Sequence, residues 1–223
     1  MFEKNGLIIL NKPTGMSSSL AVQIVKRTLR PNKIGHLGTL DPLGTGILIL
    51  AVNKSTKLFE EYLHKFKTYK AIFYFGKETD TLDSEGVVIN KNEVDITFEQ
   101  VKEVAKSFVG EFDQLPPLYS AKKINGKKAY ELARQGKEVE LKTRHVIIDK
   151  CEVKKEVCKN TFLFEIHCSS GTYIRSICRD IAYKLSTYGT MLSIIRTTCG
   201  DFTLSEACTL EDVKNGKFMF FEI

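Results

Sequence analysis

Apolar positions recur along this chain in two rhythms, and each rhythm marks an element. The run Ile47-Leu48-Ile49-Leu50-Ala51-Val52 is continuous and of strand length, which predicts a strand buried on both faces, and Gly6-Leu7-Ile8-Ile9-Leu10 reads as an earlier strand. Residues 66–76 alternate, placing Tyr69, Ala71, Phe73 and Phe75 on one face, and residues 146–152 and 161–168 alternate likewise. Helical spacing governs three other segments. Val22, Val25 and Leu29 follow N-cap candidates at Ser17 to Ser19 and stop at Pro31. Val101, Val104 and Phe108 follow a Thr97/Gln100 capping box and stop at Gly110, while Ile174, Ile177, Ile181 and Leu185 recur at spacings of three, four and four. Between these lie a turn over 11–16 and a Thr/Asp/Glu/Gly-rich stretch over 77–96 that predicts an exposed loop or hairpin. A short helix is expected over 127–135, closed by Gly136. Strands and helices mix without regular βαβα alternation or internal repeat, so the expected class is α+β, a mostly antiparallel mixed sheet flanked by helices.

A chain of 223 residues can bury a substantial core and suits one large domain. Its 43% hydrophobic share is ordinary for a soluble protein, and no apolar run approaches the roughly 18 residues that span a membrane. The first strand starts too soon after Met1 to leave room for a signal peptide, so a cytoplasmic location is expected. All six cysteines follow residue 150 without a C-x-x-C pair, and the four histidines are scattered. Reduced, buried structural thiols and no metal or other cofactor are therefore expected. The net charge of +6 is uneven: +5 over 1–36, −4 over 37–120, +5 over 121–150 and 0 over 151–223. Two basic windows in an otherwise neutral or acidic chain fit a phosphate backbone better than ordinary solvation.

The run Gly35-His36-Leu37-Gly38-Thr39-Leu40-Asp41-Pro42-Leu43-Gly44-Thr45-Gly46 sets four glycines and a proline around one carboxylate. Such loops admit a ligand closely, although a Gly/Asp/Pro cluster taken alone is usually a connection. The run resembles the GHxGTLDP signature of the tRNA pseudouridine-55 synthases, the TruB-type enzymes. Other patterns of that family recur in order: KPxG from Lys12, KxYxA from Lys67, PPxYSAxK from Pro116, GTYIR from Gly171 and RTxxGxF from Arg196. The resemblance covers residues from about 6 to 212.

That resemblance implies the pseudouridine synthase fold as a single domain over 1–223, with a basic, thumb-like, RNA-gripping insertion over 118–150. It implies isomerisation of uridine 55 in the T arm of tRNA after base flipping, with Asp41 as nucleophile and no cofactor. A carboxylate suits the role because it can form and release a bond to carbon, at the C6 of the ring or the C1′ of the sugar. Arg175 is implied to pair with Asp41, and Tyr69 to stack on the base and take the C5 proton. His36, Tyr173 and Ile194 match positions around the flipped nucleotide. Lys12 reads as support beneath the substrate site, meeting a backbone carbonyl or a phosphate. Lys122, Lys123, Lys127, Lys128 and Arg134 are expected on the RNA backbone. A monomer is expected, with tRNA as partner, no membrane and no obligate protein partner.

Two departures stand out. Ile195 replaces the first of two arginines found in many relatives, and the chain ends soon after Glu211-Asp212, where typical members continue into a PUA-type RNA-binding domain. A competing reading is a tRNA-folding chaperone with little or no catalysis. Intact Asp41, Tyr69 and Arg175 favour the enzyme, because a pure binder has no need of a paired carboxylate. A glycoside-type hydrolase lacks a convincing second carboxylic acid.

Overall fold

The computed structural model describes residues 2–119, 123–124, 127–128 and 141–223. In chain order the elements are β1 (Gly6–Lys12), α1 (Ser18–Leu29), β2 (Ile34–His36), β3 (Thr45–Val52), α2 (Phe59–Leu63), β4 (Lys67–Phe75), β5 (Lys77–Thr79), β6 (Val88–Lys91), α3 (Phe98–Lys106) and β7 (Gly110–Gln114). Then come β8 (Lys123–Ile124), β9 (Lys127–Lys128), β10 (Arg144–Cys158), β11 (Thr161–Cys168), α4 (Ile174–Lys184), β12 (Gly189–Cys199), β13 (Phe202–Thr203), α5 (Leu210–Lys214) and β14 (Phe221–Glu222). They form two compact units, one of residues 1–70 with 194–223 and one of residues 71–193. The class is α+β with a mixed, mostly antiparallel sheet.

In the first unit β1 and β3 pair antiparallel along their length, from Gly6 opposite Val52 to Lys12 opposite Gly46. The other edge of β3 is shared. Antiparallel β2 takes the Leu50–Val52 end, and β12 takes the Thr45 end in parallel, with Ile195 opposite Thr45. The chain between β2 and β3 therefore lies where one edge partner gives way to the other. Leu7, Ile9, Ile47, Ile49 and Ala51 form one core with Leu37 and Cys199, and the alternate residues Ile8, Leu10, Leu48 and Leu50 are equally buried, as two-sided burial requires. Helix α1 starts on Ser17, whose side chain accepts from Leu20 N, and ends on Arg30 in the left-handed region before Pro31.

Gly46 is constrained both by backbone angle and by space. Its φ is +97°, and an added Cβ would stand 2.3 Å from the Arg196 carbonyl oxygen of β12. Gly46→Ala combines backbone strain with overpacking against main chain, and we expect a loss of about 3 kcal/mol in urea unfolding.

In the second unit β7, β10 and β11 are antiparallel neighbours, followed by the later half of β4. The fully buried rings of Phe73 and Phe164 pack with centroids 4.4 Å apart, tilted by 35°. Helix α3 packs on β10, and its Thr97/Gln100 capping box is formed.

Three expectations change. Lys127–Lys128 pairs as a strand with Lys123–Ile124 instead of opening a helix, and residues 129–135 lie outside the described residues. The 77–96 stretch does form a hairpin, β5 with β6, but Glu78, Thr79, Leu82 and Asp83 in it are buried. Cys158 is exposed, whereas the other five cysteines are buried free thiols. Burial pushes the Cys151 thiol up to about 12, which keeps it protonated and inert.

Candidate active site

The loop bearing Asp41 is held by its main chain. Arg196 is 2% exposed and donates from Nη2 to Gly38 O (3.3 Å), from Nη1 to Thr39 O (3.2 Å) and from Nε to Ile47 O (2.7 Å). Ser18, on the first turn of α1, donates to Leu40 O at 2.8 Å and accepts from Leu40 N at 2.9 Å. The Asp41 carbonyl accepts from Gly44 N, and Pro42 O accepts from Gly15 N. Lys12, fully buried, donates to Pro42 O at 3.2 Å and to Pro13 O and Met16 O, and Thr14 donates to Leu43 O. Every carbonyl from residue 38 to residue 43 thus has a donor, supplied by α1, β12, the turn after β1 and the loop itself. An ammonium group has three protons, and the three carbonyls around Lys12 match them. Of the two partners expected for Lys12, the structure has the carbonyl.

The half-buried Asp41 side chain rides on this locked backbone. His36 ends β2 just before the loop, and burial, followed by the nearby Arg196 charge, lowers its pKa, so its ring is neutral at pH 7. Its buried Nδ1 has no hydrogen-bond partner among the described residues. Tyr69, 8% exposed, shares the inward face of β4 with Ala71 and Phe73. Ile194 is buried, and its carbonyl accepts from Thr45 Oγ1.

The second unit contains a second constellation. Arg175 lies in the first turn of α4, 6% exposed, and donates from Nη1 to Thr81 O (2.8 Å) and from Nη2 to Tyr119 O (3.1 Å). Its Nη1 also stands 3.3 Å from Asp83 Oδ2. The other oxygen of Asp83 accepts from Thr81 Oγ1 at 2.6 Å and Glu85 N at 3.1 Å, so this 4%-exposed carboxylate is satisfied on both sides. Tyr173 is the N-cap of α4, and Gln114 brackets its main chain. Two residues before it Gly171, at φ +81°, has the left-handed backbone that favours glycine and lies against the Arg144 guanidinium, which would have to move for any side chain there.

Asp83, Gln114, Ser18 and Arg196 were not among the sequence-derived site residues. Asp83 sits in a stretch whose polar composition reads as exposed, and Ser18 reads only as an N-cap candidate. Arg196 alone had a signal, the RTxxGxF pattern. Lys122 and Arg134 lie outside the described residues, and of Lys123, Lys127 and Lys128 only the strand backbone is described.

Comparison with known proteins supplies the context. The TruB family pseudouridylate synthase N-terminal domain profile matches residues 26–174. The tRNA pseudouridine synthase B of Alkaliphilus oremlandii is 41% identical over 210 residues, which is 94% of this chain and 70% of that one. The chain belongs to the TruB family. The tRNA pseudouridine synthase B of Aquifex aeolicus is likewise 41% identical, over 93% of this chain and 73% of its own length. Among solved structures, a chain of a Cbf5-Nop10-Gar1 complex superposes with a TM-score of 0.74 at 28% identity. A chain of an H/ACA RNP bound to a substrate RNA containing 2′-deoxyuridine superposes at 0.71 and 26%. Both are covered over 94% of this chain, which spans about half of their length, 54% and 52%. The TruB-family loop and its aspartate are therefore carried here on a pseudouridine synthase fold. No helix among the described residues is long and apolar enough to cross a membrane.

Proposed function

We propose that this chain isomerises uridine 55 in the T arm of tRNA to pseudouridine, acting as a monomeric, cofactor-free enzyme of the cytoplasm. The reading rests on one observation above all, that six consecutive carbonyls are bonded so as to present a single carboxylate, in a chain 41% identical to a tRNA pseudouridine synthase B. Rigid presentation is what a nucleophile needs, because a misplacement of about 1 Å can cost 100-fold in rate.

In this mechanism the Asp41 carboxylate bonds to C1′ or C6 of the flipped nucleotide, the bond between C1′ and N1 breaks, the base turns, C1′ joins C5, and the bond to Asp41 is broken again to free the carboxylate. Tyr69 stacks on the base and takes the proton leaving C5, while N1 gains one, so the reaction balances without oxidant or reductant. Arg175 pairs with Asp41 and keeps it ionised. His36, Tyr173 and Ile194 line the nucleotide, and Lys12 supports the loop. The basic insertion over 118–150, with Lys122, Lys123, Lys127, Lys128 and Arg134, grips the phosphate backbone.

The test is tritium release from a C5-tritiated tRNA transcript, with the product mapped by carbodiimide-based primer extension. Release of one equivalent at uridine 55, and none from a transcript carrying cytidine there, is the expected result. Tight binding without release would replace the enzyme by a tRNA-folding chaperone.

A further inference from the structure

We propose that Gln114 is a positioning residue, whose carboxamide fixes the Tyr173–Arg175 turn and ties it to the chain leading into the basic insertion. This role rests on the synthase reading above. Gln114 ends β7, is 1% exposed, and stands opposite Arg144 across the β7/β10 ladder. Its Nε2 donates to Tyr173 O at 3.1 Å, and its Oε1 accepts from Tyr173 N at 2.8 Å. One donor and one acceptor on a planar amide meet the two main-chain groups of a single residue, much as a neighbouring strand would.

Tyr173 needs that support because it is the N-cap of α4 and its side chain makes no capping hydrogen bond. The paired bonds set the peptide planes on both sides of Tyr173, and so the direction in which Tyr173 and the arginine two residues on leave the backbone. The chain following Gln114 continues the same contact. Leu115 O accepts from Ser176 Oγ at 2.9 Å and from Arg179 Nη2 at 3.0 Å, and Tyr119 O accepts from Arg175 Nη2 at 3.1 Å. Gln114, Leu115 and Tyr119, on either side of the start of the insertion, are thus bonded to the first two turns of α4 and its N-cap, and of these three Gln114 is the one whose side chain makes the contact.

The experiment compares wild type with Gln114→Leu and Gln114→Glu. The leucine keeps the approximate volume and removes both bonds. The glutamate keeps the acceptor for Tyr173 N and sets an oxygen against Tyr173 O. Single-turnover isomerisation at saturating tRNA, tRNA Kd and the thermal midpoint are measured for each. The expected result is a rate about 30- to 100-fold lower for Gln114→Leu, a smaller loss for Gln114→Glu, and a Kd within about threefold for both folded variants. If Gln114→Leu does not fold, Gln114→Glu decides by the same split between rate and Kd. An active wild type with a folded variant that keeps its rate, or loses it only in proportion to Kd, overturns the positioning role alone. A wild type that binds tRNA and makes no pseudouridine overturns the synthase reading, and this role with it.

Discussion

Asp41→Asn is expected to abolish pseudouridine formation, by about 10⁴-fold or more, while leaving the fold and tRNA binding close to wild type. The amide is nearly isosteric with the carboxylate, and the loop is held at the carbonyls of residues 38 to 43 by Arg196, Ser18, Lys12, Thr14 and main-chain groups. The backbone around residue 41 therefore has no reason to move. What disappears is the anionic oxygen proposed to bond to carbon, a loss equivalent to roughly 5 kcal/mol of transition-state stabilisation. Tritium release and a filter-binding titration on the same preparation separate the two effects. Residual turnover within 100-fold of wild type would remove Asp41 from the nucleophile's role.

Asp83→Leu is expected to have the next largest effect, lowering stability by about 3 kcal/mol and the isomerisation rate by about 100-fold or more. The substitution takes away the carboxylate 3.3 Å from Arg175 and the acceptor used by Thr81 Oγ1 and Glu85 N, all in a buried setting. Removing one member of a buried ion pair costs more than removing both. The double variant Asp83→Leu with Arg175→Met should for that reason recover much of the lost stability and none of the lost activity. Urea unfolding and single-turnover rates of the two single variants and the double variant form a cycle that checks this. Recovery of activity in the double variant would show that the pair serves the fold only.

Much of the architecture was legible in the sequence because the relevant information is local. The alternation of Tyr69, Ala71, Phe73 and Phe75 recurs as the inward face of β4, and the Thr97/Gln100 box and the Ser17 cap sit where three-residue spacing places them. The helix expected over 127–135 failed at its first two residues, which pair with Lys123 and Ile124, since ladder partners override weak local preference.

The glycine-framed loop was equally legible, because a closely packed turn restricts which residues it accepts. Gly46 has to be glycine beside Arg196 O, whatever else the chain does. Of what holds that loop, Lys12 was legible and most of the rest was not. Ser18 bonds Leu40 across 22 residues and Arg196 reaches Thr39 across 157; in the second unit, Gln114 likewise meets Tyr173 across 59. Asp83 shows the limit most sharply. It lies in a stretch of threonines and acids that reads as solvated, and it is buried because Arg175, 92 residues later, supplies the opposite charge. Sequence periodicity and turn chemistry report on interactions within one element, and they determined the strands and most of the helices, while the resemblance of the glycine-framed run to the TruB signature supplied the candidate nucleophile. Whether a polar group is buried, and what satisfies it there, depends on distant chain that folding brings alongside, and only the tertiary structure decided that.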